Sequence, residues 1–279
     1  GKRTAGKNNS TGVQLSRITS GQVDRIEIIR GTSGELDVRG SGQVINVVLN
    51  EQFSEASLQY NLSAEHAHDN TISPTAEFSY SGQTGGLNFQ ASARVSDPYF
   101  YNVTRERSVL GDGSPNDRVF EVRKQDPKGG MASANLDYEI NPNSSARFNV
   151  SWFDGRSTTD TERRTTDLKV SPNVDAFQSE TGPGIIKSWE IGGDYEFNTD
   201  GGSRWKVLFI TNSFEITNTR ERYDVLNDFS KEKNLFLDTR SETKERIVRG
   251  SYTFDIFQSQ DIEIGAKQFF QQRRVVVLD

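Results

Sequence analysis

The sequence predicts an all-β chain, specifically part of a transmembrane antiparallel β-barrel. Three observations carry this. Apolar and polar residues alternate over stretches of about ten residues, the pattern of strands with two unlike faces. Short Gly/Asn/Asp/Ser turns alternate with long polar segments. The composition leaves no alternative way into a membrane: hydrophobic residues are 33% of the 279 and the longest purely apolar runs are Val207–Ile210 and Val275–Leu278, far short of the ~18 residues of a spanning helix.

Other classes are excluded by composition. With no cysteine, disulfide scaffolds, thiol nucleophiles and cysteine-bound metals drop out. A formal charge of −6 does not suit general nucleic-acid binding, which needs clustered Lys and Arg. Aromatics at 10% argue against disorder, whose sequences are aromatic-poor. The chain opens at Gly1 with no basic and apolar leader, and it ends inside the strand-like run Arg273–Asp279, so the expectation is a fragment of a longer protein.

Lys2–Gly12 reads as loop. Val23–Arg30 (VDRIEIIR) is a short strand candidate, Gly31–Gly42 a glycine-rich turn region, and Val44–Leu49 a strand apolar on both faces. Strict alternation begins after Ser54. Leu58, Tyr60 and Leu62 alternate with polar residues, as do Leu87–Val95, Ala132–Ile140, Trp189–Phe197 and Val248–Ile256. Weaker versions at Ala76–Tyr80, Ala146–Phe153, Arg204–Thr217 and Ile262–Phe270 bring the expectation to about nine strands, near the ~10 residues of a spanning β-strand.

Short turns fall at Ser81–Gly86, Asn141–Ser145, Asn198–Ser203 and Gln258–Asp261. The intervening segments, Asp97–Asp117, Asp154–Lys187 and Asn218–Glu245, read as long polar loops. Aromatics gather beside the short turns: Tyr80 and Phe89, Tyr138 and Phe148, Phe197 and Trp205, Phe254 and Phe257. That placement suits an interfacial girdle. A soluble β-sandwich binding or adhesin module is the competing architecture, since its strands alternate too. The barrel is favoured by turn asymmetry, by a second face that is small or charged, and by Ala and Gly in the apolar rows, which would leave holes in a sandwich core.

One segment resembles a known family. Val23–Asn50, VDRIEIIRGTSGELDVRGSGQVINVVLN, is similar to the end of the plug domain of TonB-dependent outer-membrane receptors. The likeness rests on Asp24, Arg25, Ile26, Glu27, Arg30 and Gly31, then Gly40, Gly42, Val44, Ile45 and Asn46. Thr32 stands where the family often has Pro, and Gly34–Arg39 replaces its usual small-Tyr-Gly stretch. The resemblance implies a C-terminal part of a plug over residues 1–50 and the N-terminal part of a barrel over residues 51–279, about nine strands of roughly 22. It implies a place in the bacterial outer membrane and a TonB-type energy-transducing partner. The activity it implies is active uptake of a bulky solute, a ferric siderophore by preference and a carbohydrate or other nutrient as the alternative.

The same resemblance implies that plug arginines, among Arg25, Arg30 and Arg39, pair with wall carboxylates, for which Glu65, Asp137, Glu139, Asp194 and Glu196 are candidates. Unpaired charge in such a place is costly. Ligand contacts are expected from the long loops: Tyr99, Phe100, Tyr101, Arg105, Arg107, Arg163, Arg164, Arg220 and Arg222, whose basic and aromatic groups suit an anionic chelate. No cofactor and no catalytic residue are expected. His66 and His68 lack a third ligand, so they read as solvated rather than as a metal site, and no nucleophile motif accompanies them.

Overall fold

The computed structural model describes residues 23–30, 43–49, 56–257 and 260–278, all of them strand or short connection. The first two stretches form a hairpin of their own. β1 (Val23–Arg30) pairs antiparallel with β2 (Gln43–Leu49), Glu27 opposite Asn46 and Arg30 opposite Gln43. Both expected strands are therefore present. Gly31, Arg39, Gly40 and Gly42 lie outside the described residues.

The other ten strands form one antiparallel sheet. They are β3 (Ser57–His66), β4 (Ile72–Thr84), β5 (Leu87–Ser96), β6 (Phe100–Val109), β7 (Pro115–Asn141), β8 (Ser144–Asp167), β9 (Val174–Asn198), β10 (Arg204–Val225), β11 (Lys231–Phe257) and β12 (Gln260–Leu278). Each pairs with its sequence neighbour, except that β5 and β6 pair side by side with different halves of β7. Among the described residues β3 and β12 do not pair with one another, so the described sheet is open rather than closed.

Three corrections follow for the segments expected to be loops. Asp97–Asp117 contains β6, a whole strand. Asp154–Lys187 and Asn218–Glu245 are the upper halves of β8, β9, β10 and β11, closed by short turns. The reason is physical. Alternation marks a strand only where its two faces meet different surroundings, and here both faces are polar. What remains is β propensity, as in Thr158, Thr159, Thr161, Thr165 and Thr166 of β8, and cross-strand charge pairs. Arg163 meets Glu121, Arg220 meets Glu180 and Lys233 meets Glu221, each across neighbouring strands.

Four hairpins close with the same five-residue turn: Ala67–Thr71, Leu110–Ser114, Thr199–Ser203 and Leu226–Ser230. In each, the first N–H donates to the fifth carbonyl and the fourth N–H to the first carbonyl. The fourth residue takes positive φ: Asn70 68°, Gly113 85°, Gly202 84° and Phe229 64°. In three of them an Asp at the third position (Asp69, Asp112, Asp228) accepts from the fifth backbone N–H, a local Asx closure.

Candidate functional site

The two faces of the large sheet are inverted relative to a water-soluble domain. Large apolar side chains of one face lie open: Leu58, Tyr60, Phe78, Leu136, Trp152, Trp189, Tyr195, Trp205 and Val207 among them. The buried residues are instead mostly polar. Ser133, Asn149, Glu190, Asp194, Asn212 and Glu245 are buried, and the only buried large hydrophobics among the described residues are Ile210 and Ile247. The polar face holds its charges in place. Arg147 pairs with Asp194 at 2.8 Å, and Lys206 with Glu196 at 3.8 Å.

One register row on that face is polar on every strand it crosses. Gln59, Ser79, Ser92, Ser133, Ser151, Glu190, Asn212, Glu245 and Gln271 are level from β3 to β12. Ser92 and Ser133 share a hydrogen bond of 3.0 Å. The Asn212 amide donates to both Glu190 (3.5 Å) and Glu245 (3.3 Å), and Gln271 donates to Glu245 at 3.1 Å.

The apolar face is a slanted stripe. Val95 of β5 is level with Glu242 of β11, yet the highest bulky apolar residue before charge on β11 is Val248, six residues lower. At the short-turn side, Leu87 of β5 is level with Gly250, while the stripe on β11 reaches down to Ile256, six residues below. Both edges fall by more than one residue per strand. With ~3.3 Å per residue and ~4.8 Å between strands, the slope is roughly 40°. The stripe along β9, Trp189–Phe197, is about 26 Å long. β12 departs from the line: Phe270 and Leu278 sit above it, and nothing in the structure explains them.

Above the stripe the expected ligand residues divide between the faces. Arg163 and Arg164 are neighbours in sequence and therefore point opposite ways. Arg163, Arg220 and Arg222 share the polar face with Glu121, Arg123, Thr159, Thr161, Gln178 and Glu180, around an open cleft of about 420 Å³. Arg163 donates to Glu121 through Nε (2.9 Å) and Nη2 (2.5 Å). Arg220 grips Glu180 with two parallel bonds of 2.8 and 3.0 Å. That contact, with Arg222 and Arg163 near by, holds the Glu180 carboxyl below its ordinary range and raises Arg220.

Tyr101, Arg105, Arg107 and Arg164 are on the other face. Arg105 lies 5.4 Å from the centre of the Phe120 ring, and Lys124 lies 5.7 Å from that of Tyr101. Tyr101 also meets His68 edge-on, ring centres 4.1 Å apart. Arg107 is opposite Arg118 in the register. Tyr99, just before β6, donates its hydroxyl to Asp69 at 2.6 Å, which pushes its pKa up to about 12. Phe100 is opposite Gln125 of β7, and the nine expected residues thus do not form a single site. Arg123, Gln178 and Glu180, which sequence reasoning missed, complete the cleft around Arg163. Counting alternate residues onward from Ser151 along β8 reaches Thr159, Thr161 and Arg163, and was the available signal.

In β1, Arg25 bonds Glu27 and Asp24 of its own strand, both at 2.7 Å. Among the described residues no group of three or more His, Asp or Glu is placed to hold a metal ion. Compared with known proteins, the chain matches no family model and no curated protein.

Proposed function

We propose that the large sheet is the wall of a transmembrane β-barrel, that β1 and β2 belong to a plug, and that the whole works as a TonB-dependent receptor. It would take up a bulky solute, such as a ferric siderophore, across a bacterial outer membrane. The carrying observation is the slanted apolar stripe. A barrel in a bilayer needs an outward apolar band ~25 Å tall on strands tilted by ~35–45°. A level hydrocarbon layer crossed by tilted strands must appear as a band that drifts along the register, and this one does so at both edges. The inverted burial supports the same reading: polar residues inside, apolar residues facing hydrocarbon.

The β-sandwich alternative loses support. Its apolar rows would be covered by a second sheet, whereas no described strand covers these. The plug and the solute rest on the resemblance of Val23–Asn50, and transport energised from the inner membrane rests on it as well.

The chain's lack of cysteine makes the topology directly testable. Asp228→Cys at a long-hairpin tip should react with a membrane-impermeant maleimide on intact cells. Asn143→Cys at a short turn should react only after the outer membrane is broken. Equal labelling of both sites on intact cells, or recovery of the protein in the soluble fraction, would sink the barrel reading. Uptake that persists after the proton-motive force is collapsed would sink the TonB-dependent part alone.

A further inference from the structure

We propose that the polar cleft over β7–β10 binds a compact polyanion, a molecule with at least two carboxylate or phosphate groups bridged between Arg123 and Arg222. As the ligand class of a receptor this rests on the reading above; as a binding site it stands without it.

Four guanidinium groups line the cleft, against the carboxylates of Glu121 and Glu180. Two of the four are engaged: Arg163 with Glu121 and Arg220 with Glu180. The other two are available. Arg123 has no hydrogen-bonding or ion-pair partner among the described residues. Arg222 donates only its Nε, to Asn234 at 2.9 Å, so its terminal nitrogens are uncommitted among the described residues. A chain with a net charge of −6 here lines a concavity with four guanidinium groups and two carboxylates, and Asp224, bonded by Gln178, stands beside Arg222.

The register fixes the spacing. Arg123, Thr161, Glu180 and Arg222 lie in one row across β7, β8, β9 and β10. The two available arginines are therefore three strand spacings apart, ~14 Å at the backbone. Long side chains leaning inward bring both forks within reach of two anionic groups on one small molecule. A guanidinium fork matches carboxylate and phosphate oxygens two at a time. Thr159, Thr161 and Gln178 offer neutral hydrogen bonds between the forks, and the ~420 Å³ volume lies within the range of small-molecule sites.

The aromatic residues argue for charge rather than stacking. Phe120, Phe177 and Tyr223 occupy the opposite face of these strands, and no aromatic residue lines the cleft. A ligand held by ring stacking, such as a neutral sugar or an aromatic chelate, finds no platform. A flexible, many-toothed anion needs none.

The test uses the full chain purified in detergent and isothermal titration at physiological ionic strength, with tricarballylate as the polycarboxylate probe and tripolyphosphate as the polyphosphate probe. Saturable binding of at least one is expected, and which one binds identifies the oxyanion preferred. Arg123→Gln and Arg222→Gln should each weaken it tenfold or more. Arg123→Lys should recover only part, because it keeps the charge and loses the fork. Arg164→Gln, on the other face, should leave it unchanged. Circular dichroism and thermal melts of each variant separate loss of binding from loss of fold. Binding of neither probe overturns the proposal, as does binding that survives both Gln variants or falls equally with Arg164→Gln. None of these outcomes depends on membrane energisation, so the receptor reading is judged separately by uptake in cells.

Discussion

Gly193 and Phe209 face each other across β9 and β10, and the Phe209 ring lies 2.9 Å from the point a Cβ on Gly193 would occupy. On the other side the Arg147 carbonyl oxygen is 2.8 Å from the same point. The ring can swing away; the carbonyl belongs to the β8 ladder and cannot. Gly193→Val should therefore destabilise the sheet by about 2 kcal/mol, the usual cost of overpacking. Urea denaturation in detergent measures it, and an unchanged midpoint would contradict the account.

Asp194, one residue on, gives a larger expected loss. Its carboxylate is almost fully buried and pairs with Arg147 at 2.8 Å on the polar face. Removing one member of a buried pair leaves a charge without its partner, typically at ~3–5 kcal/mol. Asp137 is level with Arg147 on the opposite strand, β7, and can take up part of that charge. The expectation for Asp194→Ala is thus the lower figure, about 3 kcal/mol, read by the same denaturation.

Tyr99 and Asp69 make a pH-dependent clasp between the first hairpin turn and the start of β6. The Tyr99 proton is held to about pH 12 by the carboxylate that accepts it, and the same bond lowers Asp69. For Tyr99 the folded value is raised, so its contribution is complete below the ordinary phenol value of 10.0 and is lost as pH rises through 12. For Asp69 the folded value is depressed, so its contribution is present above 3.8 and disappears on further acidification. Ultraviolet titration should show one late-ionising tyrosine that vanishes in Tyr99→Phe.

Phe229 occupies a backbone conformation that its sister turn gives to Gly113. Its φ is 64° and its side chain is 87% exposed, so neither packing nor glycine's freedom offsets the strain. A left-handed L-residue costs roughly 1–2 kcal/mol. Phe229→Gly should recover about 1 kcal/mol of that, net of glycine's extra chain entropy. A lower melting temperature would show that the ring contributes something its surroundings do not reveal.

The lower half of the sheet could be read from sequence because Trp189, Ile191, Tyr195 and Phe197 alternate with Glu190, Asp194 and Glu196. Its upper half could not. Arg163 and Arg164 look alike as a pair of loop arginines until β8 is known to run unbroken from Ser144 to Asp167. Only then does alternation send one to the cleft and the other to the opposite side. β6 was hidden for the same reason: in FYNVTRERSV both faces are wet, so period two carries no contrast. Glu190 was legible as a polar-face residue. That it would be the most deeply buried side chain among the described residues was not, because burial depends on what the neighbouring strands bring alongside.

The ladder between β8 and β9 continues from Ser144 opposite Phe197 to Asp167 opposite Val174 without a slip. From Trp152 upward that is roughly 50 Å of strand projecting beyond the greasy belt, braced by β7 and β10. Such a structure behaves as a cantilever rather than a tether. It cannot curl over by local flexing, since bending would break a whole rank of amide hydrogen bonds together. Whatever docks there must fit a frame that is already erect.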